Sequence, residues 1–131
     1  MIARFVAIGG ICAFLCVAFG AFGAHMLKDV LEPDRLTVFQ TGVQYQMMHS
    51  LGLIAVGITA GFMPGSKHLV KAGWFLLAGM VLFSGSLYVL SLTGIKILGI
   101  ITPFGGVAFL IGWFLFALAA FQHKPNGNSA D

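Results

Sequence analysis

FVAIGGICAFLCVAFGAFGAHM, Phe5 to Met26, runs without a single Asp, Glu, Lys or Arg. A helix rises about 1.5 Å per residue, so about 20 apolar residues cross the ~30 Å hydrocarbon core of a bilayer. Three further stretches repeat the pattern: Val43 to Met63, Ala72 to Thr93 and Phe104 to Gln122. Together the four fill most of the 131 residues. They cannot be the core helices of a soluble domain, because so short a chain has no polar shell left to cover them. The sequence therefore predicts an all-α integral membrane four-helix bundle with short connections. One transmembrane domain is expected over residues 1–123, with spans near 5–26, 43–63, 72–93 and 104–122, followed by a disordered tail over 124–131.

Composition agrees. Hydrophobic residues make up 59% of the chain and charged residues 8%, where a soluble domain carries about 25% charged residues. Mean hydropathy is +0.98. The seven Lys and Arg are scattered singly, with no basic stripe, so no nucleic-acid partner is implied. Single positive charges beside spans are better read as interface anchors. Four spans put the N-terminus, the second connection and the C-terminus on one side. That side holds Arg4, Lys67, Lys71 and Lys124, against Lys28, Arg35 and Lys96 on the other. The positive-inside rule then sets both termini in the cytoplasm. Arg4, an apolar run and Ala21-Phe22-Gly23 loosely match a secretory leader. The run continues to Met26 without polar relief, however, and the first stretch is read as a retained span.

The connections are short. In Leu27 to Gly42, Pro33 and Asp34 suit a first helical turn, and Leu36, Phe39 and Val43 follow at helical spacing. An interfacial helical turn running into the second span is expected there. Pro64 to Lys71 holds a Pro-Gly-Ser turn with basic residues. Gly94 to Pro103 carries one charge among branched apolar residues; it either lies flat in the interface or re-enters the membrane. No internal repeat is visible.

Small residues recur inside the spans. Cys12, Cys16, Gly20 and Ala24 stand at four-residue intervals, as do Gly57 and Gly61, and Ala108 and Gly112. Helices in lipid associate by close van der Waals contact, which small residues permit. The two cysteines are read as free packing thiols, since a disulfide across one helical turn would be strained.

Polar residues converge on one leaflet. His25 closes the first span, Gln40, Gln44, Tyr45, Gln46 and His49 open the second, and Ser84, Ser86 and Tyr88 lie late in the third. Thr102 opens the fourth. By helical rise from the expected span ends, His49 lies ~9 Å deep and Ser86 ~10 Å. Tyr45, His49 and Gly52 share one helical face, and Gly52 would let a neighbouring backbone approach His49. The candidate ligand pocket is therefore His25, Tyr45, His49, Ser84, Ser86 and Tyr88.

Four ordered segments carry a resemblance. FGAFGAH (Phe19 to His25), TGVQYQMMHSLGL (Thr41 to Leu53), FSGSLYVL (Phe83 to Leu90) and ITPFGGVAFLIGW (Ile101 to Trp113) resemble signature segments of the YgdD/YwdK-like family. These are small four-span inner-membrane proteins with eukaryotic relatives, and the likeness covers the chain apart from its tail. It implies a compact helical bundle in the bacterial inner (plasma) membrane. The family has no established biochemical activity, so it supplies no catalytic residues.

The polar cluster has a structural reading, in which its members hydrogen-bond one another and fix helix register. It also has a functional one, a shallow pocket for a small ligand, lipid head group, haem or metal. His25 and His49 are the one histidine pair at a suitable level for haem, and no CxxCH attachment site is present. Met26, Met47 and Met48 could offer thioethers to Cu(I). A small oligomeric transporter or channel lined by serines and glycines is the second alternative, without the intramembrane acids that ion-coupled carriers use. No nucleophile–base–acid constellation, phosphate loop or carboxylate pair is present. The expectation is a non-enzymatic structural or interaction component with no cofactor and no metal. Its partners are the lipid bilayer and either copies of itself or other membrane proteins.

Overall fold

The computed structural model describes residues 2–124; the expected tail, apart from Lys124, lies outside the described residues. Among the described residues the fold is all-helical, a bundle of four long helical rods with no strand. Helix α1 covers Ile2–His25 and α2 covers Pro33–Phe62. The third span is continuous: α3 (Lys67–Gly79), a wide π turn (Met80–Ser84) and α4 (Gly85–Thr93). Helix α5 covers Thr102–Gln122. Short 3₁₀ turns, Leu27–Asp29 and Lys96–Ile100, precede α2 and α5.

Local chemistry sets the ends. Glu32 is extended (φ −62°, ψ 153°) and Pro33 opens α2, where its missing N–H costs no hydrogen bond and its fixed φ suits a helix. The Ser66 hydroxyl caps α3 by accepting the Leu69 N–H at 3.3 Å. Gly94, at φ +75°, closes α4 in a left-handed conformation that glycine adopts without strain. Lys96–Ile100 buries no residue, and Ile95, Ile97 and Ile100 are exposed. This connection lies on the bundle's end and does not re-enter between the helices.

Three segments are long and apolar enough to cross a membrane: Ala3–His25, Lys67–Thr93 and Lys96–Gln122. Helix α2 falls short because Gln46, His49 and Ser50 interrupt it. Helix α1 packs along one side of α2 and the third span along another. Helix α5 packs along α3 and reaches α2 through the rings of Phe109 and Trp113. A helix surrounded by protein can keep polar side chains that lipid would reject.

The seam between α1 and α2 differs from the four-residue ladder expected of Cys12, Cys16, Gly20 and Ala24. Ala24 is exposed, while Phe5, Gly9, Cys16 and Gly23 are buried and Cys12 and Phe19 half-buried beside them. Four residues advance a helix by about 400°, so a strict four-step ladder walks off its face by about 120° over three steps. Alternating steps of four and three stay on it. The contact is close. A Cβ at Gly9 would stand 2.9 Å from the Ser50 carbonyl oxygen, and one at Gly23 2.9 Å from the Phe39 ring. Likewise Gly57 is buried and Gly61 exposed, whereas Ala108 and Gly112 both face inward.

The interior has two halves. Toward the termini it is apolar, with Phe5, Leu53, Val56, Leu69 and Leu76 at 0 or 1% exposure. Toward the other end it holds the buried Gln46, Ser84, Ser86 and Ser91.

Candidate functional site

His49 sits where the halves meet. On α5 its partner Trp113 stands eleven residues from Thr102 and nine from Gln122. That is about 16 Å and 14 Å of helix rise, which is mid-depth. The ~9 Å depth expected for His49 is corrected accordingly. Hydropathy starts the second span at Val43, but Pro33 starts the helix ten residues earlier.

Every nitrogen of the His49 ring is engaged. Its Nδ1–H donates to the Tyr45 carbonyl at 2.7 Å, and the Trp113 Nε1–H donates to Nε2 at 3.0 Å. This pairing assigns the Nδ1–H tautomer. The imidazole stacks on Phe109, with ring centroids 3.5 Å apart and planes 11° from parallel. Tyr45 continues the stack against Phe83 and Phe109. Gly52 makes room for Trp113, since a Cβ there would stand 2.8 Å from the indole. An aromatic ring, not a backbone, fills the gap that Gly52 leaves.

One turn earlier, Gln46 joins three helices. Its Nε2 donates to the Cys12 carbonyl on α1 at 2.8 Å, and its Oε1 accepts the Tyr88 hydroxyl from α4. The Cys16 thiol donates to the Val43 carbonyl at 3.0 Å, and the Ser84 hydroxyl to the Gly42 carbonyl at 2.7 Å. The Ser50 hydroxyl donates to the Gln46 carbonyl at 2.6 Å. Nearer the bundle's end, Ser86 and Thr102 share a 2.6 Å hydrogen bond, and Arg35 Nε donates to the Ser91 carbonyl at 2.7 Å. Helix α2 is thus tied to α1, α4 and α5.

Of the six candidate pocket residues, the structure gathers Tyr45 with His49, places Ser84 and Tyr88 against other parts of α2, and turns Ser86 toward α5. His25 does not join them. It is exposed at the end of α1, sixteen residues beyond Gly9, and Gly9 is the residue that abuts Ser50. The two histidines are separated by about 24 Å of helix rise, so they cannot ligate one haem. Met26 and Met48 are exposed and do not converge with Met47 on a common site. Among the described residues no group of three His, Cys, Asp or Glu side chains could hold a metal ion.

The cluster borders a crevice of ≈ 170 Å³ lined by Cys12, Gln46, Met80, Ser84 and Tyr88, below the ~300 Å³ where small-molecule sites begin. The Gln46, Ser84 and Tyr88 side chains that line it are already paired with one another or with backbone. Gln46 and Trp113 are the residues that sequence reasoning missed as anchors. A Trp at mid-span, away from the interface where Trp is enriched, was the available signal for the second. The hydrogen bonds differ in consequence. Ser84→Ala is expected to cost about 0.6 kcal/mol in detergent unfolding, the average for an interhelical hydrogen bond, because Gly42 keeps its helical partner.

Comparison with known proteins gives a consistent result. Residues 19–106 match the family described as Protein of unknown function (DUF423). The chain is 50% identical over 119 residues to UPF0382 membrane protein YwdK of Bacillus subtilis, covering 91% of this chain and 97% of the relative. It is 45% identical over 118 residues to UPF0382 membrane protein SH2409 of Staphylococcus haemolyticus, covering 90% and 95%. A UPF0382 membrane protein of Haemophilus influenzae is 39% identical over 121 residues, covering 92% and 96%. No solved structure matches.

Proposed function

Since this chain belongs to the DUF423 family of proteins of unknown function, we propose that it is a compact structural or interaction component of the bacterial inner membrane, and not an enzyme. The observation that carries this reading is the closed pairing around His49. Both ring nitrogens are spent on Tyr45 and Trp113, and one ring face on Phe109. A general base, nucleophile or metal ligand needs a free lone pair directed at a cavity. The same closure disfavours a ligand site at this cluster. Bacterial relatives named as membrane proteins support the compartment. Arg4, Lys67, Lys71 and Lys124 at one end support cytoplasmic termini. The working surface is then the lipid-facing exterior, offered to a second copy or to other membrane proteins.

Native mass spectrometry of the protein extracted from its own membrane in mild detergent tests this. The expected spectrum holds the chain, a homo-oligomer or a complex with a second polypeptide, and no small-molecule mass that depends on His49. A reproducible small-molecule mass that disappears in a folded His49→Phe variant would overturn the structural reading and make the cluster a site.

A further inference from the structure

At the end of the bundle that carries Arg4 and Lys124, two recesses lie side by side. One, of ≈ 260 Å³, is lined by Ser66, Lys67 and His68 at the start of α3 and by Gln122, His123 and Lys124 at the end of α5. The other, of ≈ 480 Å³, is lined by Ala60, Met63, Val70 and Lys71. Met63, Gly65, Ser66 and Lys67 border both, so the two adjoin across the α2–α3 connection, a basic half beside a mainly apolar half. The Nδ1 atom of His68 is buried there without a hydrogen-bond partner among the described residues. Charge is segregated as well. Asp29, Glu32 and Asp34, the acidic residues among those described, all stand at the opposite end of the bundle.

We propose that this recess holds the head group of an anionic bilayer phospholipid. Its phosphate would lie in the basic half, against Lys67, His68 and Lys124, and its glycerol and first acyl methylenes against Ala60, Met63 and Val70. Phosphate oxygens accept from ammonium and imidazole N–H groups alike. The recess opens where helices leave the hydrocarbon, at head-group level. Inorganic phosphate would use only the basic half, and the apolar half beside it favours the lipid. Basic clusters next to spans bind anionic lipid by the same electrostatics.

The full chain is reconstituted in nanodiscs of phosphatidylcholine with a minority of phosphatidylglycerol, then released into the mass spectrometer. We expect phosphatidylglycerol to be retained preferentially, with retention falling about fivefold for each of Lys67→Gln and Lys124→Gln. Lys28→Gln and Lys96→Gln, at the other end, should leave it unchanged. Melting in pure phosphatidylcholine checks that each variant is folded. Equal loss in the Lys96 variant would reduce the effect to general attraction and overturn the site. Displacement of the lipid by millimolar inorganic phosphate would overturn the lipid assignment in favour of a phosphate site.

Discussion

Gly105→Ala will destabilise the bundle by about 2 kcal/mol or more, while Gly106→Ala, one residue on, will leave it unchanged or slightly more stable. Both glycines lie in the first two turns of α5, and both would gain about 1 kcal/mol of helix propensity from a methyl group. Their surroundings differ. A Cβ at Gly105 would collide with the backbone nitrogen of Phe83, 2.8 Å from its Cα and 2.7 Å from its Cβ. A Cβ at Gly106 would meet nothing within 4 Å. Backbone cannot rotate aside as a side chain can, and Phe83 lies in the π turn whose neighbour Ser84 is hydrogen-bonded to α2. Relief would require α5 to move off the third span along its length, and overpacking of this kind costs about 1–3 kcal/mol, sometimes more. Thermal or denaturant unfolding in mild detergent reads the difference. Equal behaviour of the two variants would show that α5 does not sit on the π turn.

The all-α bundle was legible because lipid imposes a coarse rule of about 20 apolar residues without charge, which three of its segments meet. The same rule misplaced what depended on protein contact. Pro33 and Asp34 read as the first turn of a helix running into the second span, and α2 does open at Pro33. Depths counted from Val43 put His25 and His49 on one level, although Gly9 and not His25 marks the α1 side of that layer. Tyr45, His49 and Gly52 were correctly assigned to one face because the helical period alone decides it. Trp113 as their partner was not, because register between α2 and α5 is set by side-chain fit with no local trace in sequence. The π turn at Met80–Ser84 is equally silent, lacking proline and holding no glycine within it. Its extra residue turns Ser84 to Gly42 and Phe83 to Gly105 at once.

His49→Ala should lower stability by about 3 kcal/mol, and a second variant separates the sources of that loss. Removing the ring empties a site that is 2% exposed and leaves the Phe109 face uncovered; truncating a large buried ring costs about 3–5 kcal/mol in soluble cores. It also leaves the Trp113 N–H without its acceptor in a region that offers no water. His49→Phe restores the volume and the stacking while removing both polar contacts, so its loss should be near 1 kcal/mol, within the measured span of interhelical hydrogen bonds. The His49→Phe and Trp113→Phe pair then forms a double-mutant cycle. A coupling of about 0.6 kcal/mol, with ~1.7 kcal/mol as the upper bound seen in membranes, is expected from unfolding of the four proteins in one detergent. Zero coupling would mean that the indole does not donate to His49. If His49→Phe proved as damaging as His49→Ala, the ring would be acting through its nitrogens and not through packing, and the imidazole would again be a candidate ligand.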